Sequence, residues 1–249
     1  MTKGMPPRAR VDQIKLSAES WDAEQILAWA FESFGGRVAI SSAFGAEGMV
    51  LIDMASRVQK DFRIFTMDTG FFFPETYDLM QVIEGRYSVS IERVQSLLSV
   101  EEQGRVHGAE LWKRDPDLCC NLRKVEPLRR KLAELSAWIT GIRRDQTEAR
   151  AGAGKIEWDD KFGLVKLNPI ADWTEKRVWR YIHDHAVPYN SLHDQGYPSI
   201  GCTHCTRAVS AGEDARTGRW PGLAKTECGL HIIEQPAQGE RLSAQAADA

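Results

Sequence analysis

The feature that most restricts the fold is a repeated switch from a short apolar run to a turn and then to a helical pattern. Val38-Ala39-Ile40-Ser41 is a four-residue run of the kind that forms a buried strand. Ser42-Ala43-Phe44-Gly45-Ala46-Glu47-Gly48 follows as a turn of mostly small residues, and the stretch from Met49 to Ala55 resumes as a helix. Phe62 to Met67 repeats the strand and Asp68-Thr69-Gly70 the turn. Pro74 suits the first position of the next helix, which runs to the region of Glu84. Val89 to Val94, Ala137 to Thr140 and Leu164 to Leu167 are further strand candidates. Strands alternating with helices predict an α/β fold, a doubly wound and mostly parallel sheet with ligands at the carboxyl ends of its strands. A strand, a small-residue turn and a helix start also aim backbone N–H groups at an anion.

Around this frame, residues 1–16 are polar, carry two prolines and are expected to form a loose arm. Residues 19–34 predict an amphipathic helix stopped by Gly35-Gly36. Residues 99–135 form a helical region that Pro127 should kink or restart, and a helix is expected over 174–185. The reading is one nucleotide-binding α/β domain over 17–211, a mobile segment over 212–235 and a disordered Ala- and Gln-rich tail over 236–249.

The five cysteines divide unevenly. Cys119-Cys120 are adjacent, Cys202 and Cys205 form a Cys-x-x-Cys pair, and Cys228 stands alone. Cys-x-x-Cys by itself suits zinc, an iron–sulfur group or redox chemistry. Two consecutive residues cannot both turn onto one ion without strain, whereas a cluster offers separate iron atoms to neighbouring thiolates. The set Cys119, Cys120, Cys202 and Cys205 therefore favours a 4Fe–4S cluster over zinc. Buried free cysteine is also common as a small hydrophobe, so the first pair alone would carry little. Cys228 lies among polar residues with Lys225 and His231 close by, and cationic neighbours lower a thiol pKa.

The formal charge of −3 makes no overall demand for nucleic acid, so a basic site has to be local. Candidates are Lys124, four residues after the cysteine pair, Arg143 and Arg144 after the fourth strand, and Arg216 and Arg219 ahead of Cys228. Arginine suits bidentate binding of phosphate or sulfate, although most lysines and arginines are simply solvated. The turn at 41–48 lacks both the Walker A ending and the dinucleotide fingerprint, so it is a weak phosphate signal by itself. No apolar leader follows the N-terminus, and no stretch reaches the roughly 18–20 apolar residues that span a bilayer. A cytoplasmic protein with reduced thiols, and no membrane partner, is expected.

Taken in order, Ser41-Ser42-Ala43-Phe44-Gly45-Ala46-Glu47, Asp68-Thr69-Gly70 with Phe73-Pro74-Glu75-Thr76, Cys119-Cys120 with Lys124, Gly141-Ile142-Arg143-Arg144-Asp145-Gln146, Gly201 through Cys205, Arg216-Thr217-Gly218-Arg219 and Glu227-Cys228-Gly229-Leu230-His231 resemble the thioredoxin-dependent APS/PAPS reductase family, and its assimilatory adenylyl-sulfate reductases in particular. The resemblance spans roughly residues 38–231. It implies a fold of the adenine nucleotide alpha hydrolase-like, or PP-loop, type, and binding of adenosine 5′-phosphosulfate (APS). It implies that Cys228 attacks sulfur, expels AMP and carries an S-sulfocysteine, from which thioredoxin, or a glutaredoxin-like donor, releases sulfite in assimilatory sulfate reduction and cysteine biosynthesis. It also implies that the four paired cysteines hold a 4Fe–4S cluster, a form that accompanies APS rather than the 3′-phosphorylated PAPS. Ser41, Ser42, Phe44, Gly45, Asp68, Thr69, Gly70, Arg143, Arg144, Arg216 and Arg219 are then expected around the substrate, with Cys228, Lys124 and His231 at the reacting atoms. The family leaves room for a homo-oligomer.

One point follows from chemistry alone. If four thiols are ligands, Cys228 has no resolving partner in its own chain, so its adduct must be reduced from outside. The competing readings are a PAPS or dual-specificity reductase, a PP-loop RNA sulfur-transfer enzyme, and a non-catalytic iron–sulfur sensor or zinc module. The RNA enzyme should show a basic surface that this charge does not advertise. The sensor leaves Cys228, Arg216 and Arg219 unexplained.

Overall fold

The computed structural model describes residues 7–210, 212–214, 216–223, 225 and 229–230. Six strands form one sheet in the order β3-β2-β1-β4-β6-β5. They are β1 (Val38–Ser41), β2 (Arg63–Asp68), β3 (Ile91–Gln95), β4 (Ala137–Ile139), β5 (Ile156–Asp159) and β6 (Leu164–Leu167). All pairs are parallel except β5 with β6. The order reverses direction between β1 and β4, and a ligand crevice is expected beyond the strand ends at that point.

Alternation along the strands builds two cores. Val38, Ile40, Ile64, Ala137, Ile139, Val165 and Leu167 face one, which includes residues of the helices α2 (Ala23–Phe34), α3 (Ala46–Val58), α4 (Pro74–Tyr87) and α9 (Glu175–Asp184). Ala39, Phe65, Met67, Trp138 and Leu164 face the other, with Leu128 and Leu132 of α8 (Glu126–Leu132). Successive strand residues point to opposite faces, so near-continuous apolar runs are what a doubly covered sheet requires. α2 starts on a capping box, in which Asp22 accepts from the Gln25 backbone and the Gln25 side chain accepts from Asp22.

Three expectations change. The arm over 1–16 is helical from Pro7: α1 (Pro7–Ala18) buries Val11 and Ala18 against the first core, because its sparse apolar residues fall on one face. The strand β5 was not expected. Its sequence, Ile156-Glu157-Trp158-Asp159, alternates apolar with acidic and pairs at the sheet edge only through the turn from β6. The break before Pro127 takes the form of a π turn rather than an interruption. Between α5 (Val100–His107) and α8 lie α6 (Leu111–Arg114), α7 (Pro116–Cys120) and a π-helical stretch (Asn121–Val125) that leads directly into α8. Pro127 sits in the first turn of α8, where its missing N–H and fixed φ are tolerated. Among the described residues no helix is long and apolar enough to cross a membrane.

Candidate active site

A cleft of about 600 Å³ opens at the reversal point of the sheet. Its floor is Ser41 at the end of β1 and the turn after it, with Ser42, Ala43 and Gly45, joined by Thr66 and Met67 of β2 and by Thr140 to Arg143 after β4. The size suits a nucleotide-sized ligand. The turn is held from below. Phe44 adopts φ +58° while its ring is wholly buried in the first core, and its N–H donates to Ser42 Oγ at 3.0 Å. A left-handed phenylalanine persists only where packing dictates it. Phe44 is thus an anchor of the turn and not part of the cleft wall. Gly45 caps α3 without a side-chain acceptor, so the first-turn N–H groups of α3 face the loop with their usual helix-end demand for an acceptor. A Cβ at Gly141 would come within 2.8 Å of Glu47 Cβ, so glycine is what lets the β4 end approach α3.

The basic residues separate by position. Lys124, Arg143, Arg216 and Arg219 line the cleft. Arg143 is buried, donates through Nε to Glu47 Oε1 at 3.0 Å and also pairs with Asp145, while Gln146 Nε2 donates to the same Glu47 oxygen at 2.9 Å. Its charge is therefore partly neutralised before any ligand enters. Arg144 points elsewhere. It donates to Ala153 O at 2.7 Å and to Glu19 at 2.6 Å, tying the α1–α2 corner to the loop after β4. Arg219 donates to Ser199 Oγ at 3.2 Å and lies 4.6 Å from the Trp220 ring centre.

Asp68, Thr69 and Gly70 do not line this cleft either. Asp68 Oδ1 accepts from Gly70 N at 3.0 Å and from the Tyr77 hydroxyl at 2.9 Å, which shapes the turn after β2. Burial, reinforced by that hydrogen bond to a carboxylate, pushes the Tyr77 phenol up to about 12. Thr69 turns the other way: its Oγ1 lies 3.3 Å from Cys202 Sγ.

That contact leads into a second space. Cys119, Cys120, Cys202 and Cys205 all line one enclosed cavity, together with Phe71, Trp112, Arg123, Lys124 and His204. All four cysteines are buried and outside any disulfide. Burial, with the neighbouring Cys202 thiol adding to it and the Lys124 ammonium opposing it, pushes the Cys205 thiol up to about 11. Burial likewise raises Cys119, with Cys120 and Cys202 contributing. Among the described residues, no three His, Cys, Asp or Glu side chains converge on a single ion. Cys202 and Lys124 belong to the walls of both spaces.

Several residues that the motifs did not single out complete the picture. Arg123 is buried, donates to Thr69 O at 2.9 Å and lies 5.0 Å from the Phe71 ring centre, yet its Nε and Nη2 find no acceptor among the described residues. His204, between the cysteines of the Cys-x-x-Cys pair, stacks on Trp112 at 4.1 Å with 9° between the planes, and Phe71 meets both edge-on. Leu230 contributes to the cleft wall. Arg123 had a sequence signal in its place between the cysteine pair and Lys124, and His204 and Leu230 in their places inside quoted motifs. Cys228 and His231 lie outside the described residues.

The phosphoadenosine phosphosulfate reductase domain model matches residues 37–208. An adenosine 5′-phosphosulfate reductase from Shouchella clausii is 45% identical over 230 residues, covering 92% of this chain and 94% of the relative. The chain belongs to the APS/PAPS reductase family. The corresponding protein from Geobacillus kaustophilus is 48% identical over 86% of this chain and 92% of its own length. The phosphoadenylyl-sulfate (PAPS) reductase structure from Candida auris, a phosphate complex, superposes with a TM-score of 0.70 at 33% identity, covering 82% of this chain and 98% of that one. Yeast FAD synthetase, at 14% identity and a TM-score of 0.54, shares the fold alone. For a member of this family, the matched domain ends before Arg216, whereas the Shouchella relative extends over most of the remaining chain.

Proposed function

We propose that this chain reduces APS to sulfite and AMP, with Cys228 as nucleophile and an external dithiol of the thioredoxin or glutaredoxin class as reductant. The observation that carries the reading is the shared wall: Lys124 and Cys202 face both a nucleotide-sized cleft and a cavity ringed by four buried thiols. The names of the 43–48% identical relatives specify the same substrate.

In the first step the Cys228 thiolate attacks the sulfur of the phosphosulfate. An S–S bond forms, the S–O bond breaks, and the oxygen leaves on AMP with the electron pair. Lys124, Arg216 and Arg219 offset the charge that moves onto the phosphate, and the first turn of α3 presents further donors. Arg143, already engaged by two carboxylates, holds the wall more than it neutralises substrate. His231 is assigned to orienting the thiolate. In the second step a donor thiolate attacks Cys228 Sγ. Sulfite departs with the S–S electron pair, a two-electron reduction of its sulfur. The donor's other thiol then resolves the mixed disulfide and restores Cys228.

The donor chemistry of the four-thiol cavity suits a 4Fe–4S cluster, which Cys119, Cys120, Cys202 and Cys205 would hold. Its donor set is all sulfur, and the orphaned Nε and Nη2 of Arg123 are hydrogen-bond donors suited to cluster sulfur in the same wall. When bound, the cluster supplies local charge and rigidity beside the cleft, since the electrons of the reaction come from thiols.

The test is anaerobic purification, iron and sulfide analysis, and an assay of APS and PAPS at equal concentration with reduced thioredoxin. Iron, sulfide and faster turnover of APS are expected. Zinc without sulfide removes the cluster, and faster turnover of PAPS makes the protein a PAPS reductase. Cys228→Ser should abolish sulfite formation while iron content stays unchanged; continued turnover would remove Cys228 as the nucleophile.

A further inference from the structure

Lys225 and Gly229, the described residues nearest to Cys228 in the chain, are gripped by the α/β body. Downstream, Lys161 Nζ donates to the carbonyl of Gly229 at 2.5 Å. Lys161 sits on the turn between β5 and β6. Its backbone N–H donates to Asp159 Oδ1 at 3.1 Å, and its ammonium lies 5.4 Å from the Phe162 ring centre. The next residue, Leu230, packs on the core formed by Phe65, Trp138 and Leu164 and forms part of the cleft wall. Gly229 adopts φ +79°, which a side chain would strain, and a Cβ there would lie 3.6 Å from Val125. Val125 directly follows Lys124, so Gly229 is seated beside the wall shared by cleft and cavity. Upstream, Lys225 pairs with Asp117, which lies on α7 two residues before Cys119, and its ammonium lies 5.6 Å from the Trp220 ring centre.

Neither Lys161 nor Asp117 lines the cleft or the thiol cavity. Their contacts are instead with the chain that follows the matched domain. A lysine loses considerable rotamer freedom when it is held on a single backbone carbonyl, so the contact needs a return in positioning. Lys225 and Gly229 are only four residues apart, at most about 14 Å of chain, so the two contacts act on one short stretch of sequence.

We propose that Lys161 is a positioning residue, with Asp117 as its upstream counterpart: together they hold Gly229 and Lys225, the described residues that flank Cys228 in the chain. The anchor rests on described contacts. Its catalytic consequence rests on the reading of Cys228 as the nucleophile.

The experiment compares Lys161→Met, Lys161→Arg and Lys161→Met/Asp117→Asn with the wild-type holoprotein. One readout is the rate at which iodoacetamide modifies Cys228, followed by peptide mass spectrometry. The other is the split between kcat and KM for the sulfonucleotide. Loss of a charge-assisted hydrogen bond predicts alkylation about tenfold faster in Lys161→Met, faster still in the double variant and close to wild type in Lys161→Arg. It predicts kcat about tenfold lower with KM changed less than twofold. An unchanged alkylation rate in both Lys161→Met and the double variant overturns the anchor. Alkylation that responds to Lys161→Met in a protein that reduces neither APS nor PAPS leaves the anchor standing and overturns the functional reading instead.

Discussion

Lys124 stands where two spaces meet, and its neighbours show how position separates residues of the same chemistry. It reaches the cleft from the same helical stretch that places Cys119 and Cys120 on the cavity wall. Lys124→Ala should lower kcat by about two to three orders of magnitude while folding is retained, measured as sulfite release against unfolding in urea. Arg144 has the same formal charge and a similar place in the motif, but it is bound to Glu19 and outside the cleft. Arg144→Ala should leave kcat/KM within about twofold and cost about 0–1 kcal/mol of stability, as for other partly exposed pairs. The sequence marked both arginines as candidates; which one turned inward depends on carboxylates 96 and 125 residues away. Phe44 shows the same limit. Its motif position suggested substrate contact, but a large apolar ring in a left-handed turn was drawn into the core beneath the cleft.

At the scale of elements, α3 is the member that joins the cleft to the body. Its N-terminal turn faces the cleft. Near its middle, Asp53 accepts from the Tyr87 hydroxyl of α4 at 2.9 Å and the Tyr181 hydroxyl of α9 at 2.7 Å, and pairs with Arg57. Burial, and then the Asp53 carboxylate, raise both phenols well above their ordinary value of 10.0. A folded-state pKa raised above the unfolded value means that the native state binds more protons once pH exceeds 10. Stability from these tyrosines is therefore complete below pH 10 and falls as pH climbs beyond it. Urea midpoints measured from pH 8 to 11 should be level at first and then decline, and Tyr87→Phe with Tyr181→Phe should flatten the decline. The π turn is a second element with a functional consequence. Pro127 announced a disturbance in the sequence, but not its form. Widening one turn keeps the helix continuous while Cys119, Cys120, Arg123 and Lys124 all reach one cavity.

At the scale of the molecule, the thiol cavity is built apart from the sheet. Phe71, Cys202, Cys205 and Trp220 form their own small cluster, separate from the two cores that cover the sheet faces. Cys202→Ser with Cys205→Ser should therefore abolish iron binding and sulfite formation yet leave far-UV circular dichroism and a cooperative urea transition in place. Collapse of the whole fold in that variant would show that the bound group is needed for the sheet as well.

The alternation of apolar runs and turns was enough to determine a parallel α/β sheet, because a strand buried on both faces has few other ways to be written. The order of the cysteine, arginine and glycine motifs was enough to indicate the family. Edge strand β5 and helix α1 were hidden, since each is short or sparsely apolar and acquires its partner only when the sheet exists. Tertiary structure alone decided which motif residues face the ligand. Thr69 was sent toward the Cys202 thiol, Asp68 toward the Tyr77 hydroxyl, Arg144 toward a helix corner and Phe44 into the core. It also brought in Arg123, Trp112, Leu230 and Lys161. A motif records residue type and spacing along the chain; the direction of a side chain is settled by packing and charge partners that lie far off in sequence.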